Sequence, residues 1–338
     1  MKLLRFLLFP FAIIYDLVTR IRNYFFDVGI FKETVFKIPV IVVGNLSVGG
    51  TGKTPQIEYL IRLLKKKYKT GVLSRGYKRK TTGYVLLNNS HSAEDVGDEP
   101  LQYFNKFKNI DIAVDANRIK GIGRLIADNN AEVILLDDAF QHRKVKGSFY
   151  ILLTKFDDLF VDDFLLPTGN LRESSSGAKR ADVILVTKCP NNLNVYEQER
   201  IKEKLSIYNK PVFFTTITYA GTLSGSTIIS MEELKNYEVL LITGIANPKP
   251  LEDFLKSERI CFRHLKYPDH HHFSNREIKD IHRRFEEITS VKKIILTTEK
   301  DYVRLVDKIN NLYYLPIETS FLNNENEMFN KIISNYLA

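Results

Sequence analysis

The stretch VGNLSVGGTGKTP, Val43 to Pro55, gathers Gly49, Gly50 and Gly52 directly ahead of Lys53 and Thr54. These are residue types that can hold a polyphosphate. Glycines let backbone N–H groups curl around phosphate oxygens, and a following helix adds the positive end of its dipole. A lysine reaches the outer phosphates and a threonine hydroxyl binds Mg²⁺. The usual spacing, G-x-x-x-x-G-K-[ST], asks for glycine where this chain has Ser47. A small residue can open the turn, so the cradle is read as Ser47, Val48, Gly49, Gly50, Thr51, Gly52, Lys53 and Thr54. The bland alternative is a glycine-rich turn with no ligand.

VILLDD, Val133 to Asp138, supports the nucleotide reading independently. An apolar strand ending in acids supplies the metal-holding half of such a site, and either Asp137 or Asp138 would hold Mg²⁺, directly or through water. An ordinary acidic turn after a strand is the competing reading.

The elements needed to position these residues are legible. Ile38–Gly44 is a short run rich in Val and Ile, which suits a buried strand. A helix is expected over Lys53–Tyr68, followed by a strand at Lys69–Ser74. Helices at Asp98–Phe107 and Ala116–Asn129 alternate with strands at Ile110–Val114, Val133–Leu136, Phe149–Leu153 and Val183–Thr187. Such alternation implies a mostly parallel sheet. The expected fold class is α/β: a P-loop NTPase-like three-layer α/β/α sandwich with a second, smaller α/β domain and an N-terminal amphipathic helix. The expected boundaries are 1–30 for that helix, 31–217 for the phosphate-loop domain, 218–230 for a Thr/Ser/Gly-rich linker and 231–338 for the smaller domain.

Composition narrows the setting. The 338 residues are 44% hydrophobic and 26% charged, as in ordinary globular chains. Cys189 and Cys261 are the two cysteines, which argues against a disulfide scaffold. The net charge of +9 suits nucleic acid, an anionic membrane or a phosphorylated substrate. No recognisable module interleaves aromatics with Arg and Lys, so nucleic acid is not an expected partner. At the N-terminus, the charge-free run Phe6–Tyr15 is far short of the ~20 residues that span a bilayer. Ile14, Leu17, Val18, Ile21 and Phe25 recur at helical spacing, with Arg20 and Arg22 able to face lipid headgroups. An interfacial membrane helix and a helix packed on the protein's own core are both open on this segment alone.

Further stretches are hard to explain as fold: SRGY (Ser74–Tyr77), GDEP (Gly97–Pro100), DDAFQHR (Asp137–Arg143), LPTGNLRE (Leu166–Glu173), DHHHF (Asp269–Phe273) and TTEKD (Thr297–Asp301). With the glycine loop, and in this order, they resemble the tetraacyldisaccharide 4′-kinase (lipid A 4′-kinase) family across residues 1–305 or so. The family usually has glycine after the acid pair, where this chain has Ala139. A small hydroxyl residue at position 47 falls within the family's own variation.

The resemblance implies transfer of the ATP γ-phosphoryl group to the 4′-hydroxyl of a lipid A disaccharide 1-phosphate, with ATP and Mg²⁺ as cofactors. It implies a peripheral enzyme on the anionic cytoplasmic face of the Gram-negative inner membrane. That setting favours the interfacial reading of the N-terminal helix. It also implies two α/β/α units joined by a two-stranded linker, so that the last helix can return to the first unit.

Carried over residue by residue, the expected catalytic set is Lys53, Asp98, Asp138, Arg172, Glu173 and His270. Asp98 matches the proposed base, although Asp-Glu-Pro also suits a helix start, and His270 would tune it. Asp269 would orient His270 or pair with a lysine. Thr54, Asp137, Asp138 and Glu173 are the expected metal ligands, and Arg75, Tyr77, Gln141 and His142 the expected substrate contacts. Adenine would meet either Thr298, Glu299 and Lys300 in a closing lobe or the loop Val186–Lys188. A P-loop switch that hydrolyses nucleotide without a small acceptor is the competing function, but such a protein needs neither GDEP nor DHHHF.

Overall fold

A computed structural model describes residues 5–338. Residues 1–4 of the N-terminal segment lie outside the described residues. In chain order the strands of the first half are β1 (Val40–Asn45), β2 (Thr70–Ser74), β3 (Val85–Leu86), β4 (Asp111–Val114), β5 (Val133–Asp137), β6 (Phe149–Lys155), β7 (Val183–Thr187) and β8 (Val212–Tyr219). Then come β9 (Thr222–Gly225), β10 (Ile228–Ser230), β11 (Glu238–Thr243), β12 (Phe262–Lys266), β13 (Lys293–Thr298), β14 (Leu312–Leu315) and β15 (Ile317–Phe321).

β1 is buried along its whole length and lies between β5 and β6, parallel to both. A strand covered on both faces needs apolar residues at every position, which accounts for the unbroken VIVV run. Val40 and Val42 pack with Ile122 and Leu125 of the helix Arg118–Asn129. Ile41 and Val43 point the other way, to Ile57, Leu60, Ile61 and Leu64. Those four recur at helical spacing along Lys53–Leu64, and each fully buried side chain contributes roughly 1.5–3 kcal/mol. Helices on both faces make three layers. The sheet order is β15-β8-β7-β6-β1-β5-β2-β4-β3. Val43 pairs with Asp137, so the glycine loop and the acid pair leave the sheet at one carboxyl edge, beside the point where the strand order reverses.

The second sheet runs β10-β9-β14-β13-β11-β12. The stretch read as a linker, 218–230, is not a loop: it holds the end of β8, then β9 and β10, which form an antiparallel edge. Thr and Ser there pair through their backbones, a role that composition does not disclose. The chain leaves the first sheet through β8 and returns through β15, which pairs antiparallel with β8 over Thr215–Tyr219. The closing helix Asn326–Leu337 then buries Phe329 and Ile333 in the core around Ile57 and Leu60.

The helices Asp98–Lys106 and Glu299–Leu305 meet between the two sheets. Lys106 Nζ lies 2.6 Å from both Glu58 and Glu299. Burial, with Glu58 second, pushes the Glu299 carboxyl up to about 7.

The N-terminal helix Phe9–Asp27 is inverted relative to a core-packed one. Phe11, Ile14, Leu17, Val18 and Ile21 all face outward, while Ala12 and Phe26 are its buried side chains. The protein side is polar. Arg20 donates to Ser174 and Arg22 to the Gln141 carbonyl, and both side chains stay exposed. Among the described residues no helix is long and apolar enough to cross a membrane.

Candidate active site

The glycine loop curls as its residue types dictate. Gly49 (φ 100°) and Gly52 (φ 82°) occupy the left-handed region that L side chains avoid. Ser47 does not. It is buried in a bridge with Leu171, flanked by bonds from Val48 N to Asn170 O (2.8 Å) and from Arg172 N to Leu46 O (2.7 Å). Glycine is therefore not required at position 47. The tighter constraint is Gly44, where a Cβ would sit 2.7 Å from Phe140 Cβ. Ala139 is equally explicable: the left-handed residue in that turn is Asp138 (φ 48°), not the alanine.

Lys53 opens its helix with Nζ 3.3 Å from Asn45 Oδ1 and 3.5 Å from Asp138 Oδ1. Arg172 donates to the same Asp138 oxygen at 3.1 Å. Burial would raise the Asp138 carboxyl, but Lys53 and then Arg172 outweigh it and hold it below the usual range. Asp138 thus rests between two cations, as an anionic phosphate oxygen would. Asp137 is the opposite case. It is buried, and burial together with Asp138 pushes it up to about 7. Ser74 (3.3 Å) and Tyr103 (3.4 Å) donate to its Oδ2, while its Oδ1 is buried with no partner among the described residues. A buried carboxylate oxygen without a donor is costly, and a divalent cation would satisfy it. The residues present fit Mg²⁺.

Glu173, another expected metal ligand, is hydrogen-bonded to protein partners through both oxygens. Its Oε1 accepts from Gln141 (3.0 Å) and Arg180 (2.8 Å), and its Oε2 from Asn23 (2.9 Å). Oε2 ties the loop after Leu166 to the N-terminal helix, a tie reinforced by Tyr15 donating to the Arg172 carbonyl at 2.8 Å. Gln141 is likewise occupied, donating to Asn45 O at 2.9 Å as well as to Glu173.

The second cluster spans the two units. Asp98 begins its helix, 4% exposed. His270 Nδ1 lies 2.9 Å from Asp98 Oδ2, and Arg304 donates from Nε to Oδ1 at 2.6 Å and from Nη2 to Oδ2. Burial would raise the Asp98 carboxyl, but these bonds outweigh it and keep it below the usual range. Behind His270, Lys300 Nζ sits 2.9 Å from Nε2 and 3.2 Å from Asp269. Asp269 thus pairs with the lysine at 3.2 Å and lies 3.9 Å from His270 Nε2 itself.

Thr298, Glu299 and Lys300 are not at the glycine loop. Thr298 caps its helix by bonding Asp301, Glu299 pairs with Lys106, and Lys300 faces His270. The residues beside the loop are Thr187, donating to Thr51 O at 2.8 Å, and Lys188, whose Nζ is 3.8 Å from where a Gly50 Cβ would be. Of the two loops left open for adenine, this geometry favours Val186–Lys188.

Arg75 and Tyr77 are exposed on the rim, with the Tyr77 ring 5.8 Å from that of His270. His142 is pushed down to about 4, by burial first and then by Arg118, Lys144, Arg22 and Arg75, so it is neutral in a cationic surround. Arg118, Asn45 and Arg304 were not singled out from sequence. Arg118 had one available signal: it follows Asn117, the cap of its helix, just after β4. Burial lowers its guanidinium to about 10.

A phosphate loop and acid pair at a parallel-sheet switch point, facing a buried carboxylate–histidine pair, define a phosphotransferase of the P-loop class. The family model described as tetraacyldisaccharide-1-P 4′-kinase matches residues 4–338. The tetraacyldisaccharide 4′-kinase of Flavobacterium psychrophilum is 55% identical, over 100% of this chain and 98% of that protein. Its counterpart in Bacteroides thetaiotaomicron is 43% identical over 98% and 92%. The crystal structure of LpxK from Aquifex aeolicus in complex with ATP superposes with a TM-score of 0.81 at 31% identity, covering 99% of this chain and 100% of that one. The chain belongs to the tetraacyldisaccharide-1-P 4′-kinase family.

Proposed function

We infer that this chain transfers the γ-phosphoryl group of ATP to the 4′-hydroxyl of a tetraacyldisaccharide 1-phosphate. The observation that carries this reading is the pairing of two half-sites, one for phosphates and one for a proton. Lys53 and Arg172 converge on a single carboxylate oxygen, and Asp98 lies across the interface with His270. The acceptor oxygen forms a bond to Pγ, the bond from Pγ to the β,γ-bridging oxygen breaks, and ADP leaves with that electron pair. The hydroxyl proton goes to Asp98. Its carboxylate is held below the usual range and is therefore ionised at neutral pH. Thr54, Asp137 and Asp138 would hold Mg²⁺, which when bound neutralises charge on the β- and γ-phosphates. The exposed Arg75 on the rim, with the buried Arg118 behind the site, suits an anionic sugar phosphate. A switch without an acceptor would leave the Asp98–His270 pair with no work.

The test is direct. ATP labelled at the γ-phosphorus, incubated with disaccharide 1-phosphate in detergent, should yield labelled lipid. Labelled inorganic phosphate with no labelled lipid would overturn the reading in favour of the switch.

A membrane-borne acceptor also gives the outward apolar face of Phe9–Asp27 a purpose. This helix would lie in the headgroup region of an anionic leaflet, bringing the loop that carries Arg172 close to the lipid. The protein should co-sediment with phosphatidylglycerol vesicles. The double substitution Leu17→Asp and Ile21→Asp should weaken that partitioning at least about tenfold, since each buried aliphatic side chain is worth roughly 1.5–3 kcal/mol. Equal sedimentation of variant and parent would refute docking through this face.

A further inference from the structure

Asp98 belongs to the first unit, yet every side chain that holds its carboxylate comes from the second. Arg304 carries most of the grip. Nε donates to Oδ1 at 2.6 Å and Nη2 to Oδ2, while Nη1 donates to the His271 carbonyl at 2.7 Å. The two side chains are 9% and 5% exposed. The guanidinium is thus bonded through all three nitrogens, planar and nearly dry. We propose that Arg304 is a positioning residue for phosphoryl transfer, fixing which face of the Asp98 carboxylate is offered to the acceptor hydroxyl and making that orientation depend on the seating of the second unit.

The reasoning is geometric. A carboxylate has about four lone-pair directions. The Arg304 fork takes one on each oxygen, and His270 takes a second on Oδ2. The open direction left to a substrate proton is on Oδ1. A freely rotating carboxylate would present this direction only part of the time, whereas a fork of fixed geometry holds it. The Asp98, Glu99 and His270 ligand atoms lie within 4.8 Å of one another, as a metal cluster would. The Arg304 cation already compensates Asp98, so the cluster is read as a proton site.

The groups facing Asp98 are few. Glu99 adjoins it on its own helix. Arg304 and Lys300 come from the helix Glu299–Leu305, with Lys300 acting through the His270 ring. His270 and Asp269 come from the loop before Ser274. Removing the guanidinium takes away one of the two side chains that donate to the carboxylate. The proton affinity of Asp98 must then rise, since burial pushes the same way.

The inference rests on Asp98 serving as the base, and the experiment separates the two. In the full-length enzyme, kcat and KM for ATP and for the lipid acceptor are measured from about pH 3 to 9 for the parent, Arg304→Gln, Arg304→Lys and Asp98→Asn. Arg304→Gln should lower kcat about tenfold or more, with KM for ATP held within about twofold. The acid limb of its kcat/KM profile should move upward by about one pH unit or more. Arg304→Lys restores charge but not the fork, so the limb should return toward that of the parent while kcat stays low. A purely structural arginine would lower melting temperature and leave the limb in place. If Asp98→Asn retains parental kcat, the base fails and the inference with it. If Asp98→Asn is inactive but the limb of Arg304→Gln does not move, the inference alone fails. Should Arg304→Gln not fold, a parental kcat in Arg304→Lys overturns the proposal.

Discussion

Asp98→Asn is expected to lower kcat by about 10²–10⁴-fold, the usual contribution of a positioned base, with the affinity for a non-hydrolysable ATP analogue nearly unchanged. The asymmetry follows from placement. Asp98 is bonded by His270 and Arg304 of the second unit, and none of its bonds reaches Lys53 or the glycine loop. The amide keeps the shape of the carboxylate but can neither take a proton nor balance Arg304. Because that pair is nearly dry, the variant also leaves a cation without its partner, and breaking a buried pair costs about 3–5 kcal/mol. A lower melting temperature should therefore accompany the loss of turnover, and kcat must be referred to folded protein. A parental rate, or equal losses in rate and nucleotide affinity, would remove Asp98 from the role of base.

Lys53→Ala should reduce kcat/KM for ATP by about 10²–10³-fold, in line with the loss of one charged donor from a preorganised site. The lysine is the largest of the charges that offset burial at Asp138, and an incoming phosphate would meet the same cation. Here rate and nucleotide affinity should fall together, in contrast to Asp98→Asn. The fold should survive, because Asp138 keeps Arg172 at 3.1 Å and the helix Lys53–Leu64 is held by Ile57, Leu60, Ile61 and Leu64. Lys53→Arg should not rescue, since a planar fork does not fit where a compact ammonium sits among glycine backbones. A kcat/KM within about tenfold of the parent would exclude the electrostatic role.

The two predictions differ because the two half-sites are built differently, and so was their legibility. Lys53, Thr54 and the glycines lie within one short segment, and residue type alone dictates how that backbone curls. The acid pair was equally plain, being the end of an apolar strand. The surroundings that local sequence does not disclose are those whose neighbours are remote in the chain. Glu173 has Asn23, Gln141 and Arg180 on its oxygens. Glu299 and Lys300 are held by Lys106 and His270. The stretch 218–230 reads as a linker by composition, yet it pairs through its backbone as a sheet edge.

By itself the sequence determined the layered α/β class, the phosphate loop, the acid pair and the family, because each depends on periodicity or on residues close together in the chain. Only the tertiary structure decided that Ser47 needs no left-handed backbone, since its conformation is set by pairing with Leu171. It also decided that Arg304 grips Asp98 and that the N-terminal helix turns its polar face to the protein. Side-chain hydrogen bonds across 206 residues, as between Arg304 and Asp98, leave no periodic trace in a chain. They are fixed by how two sheets and the helices between them come to rest.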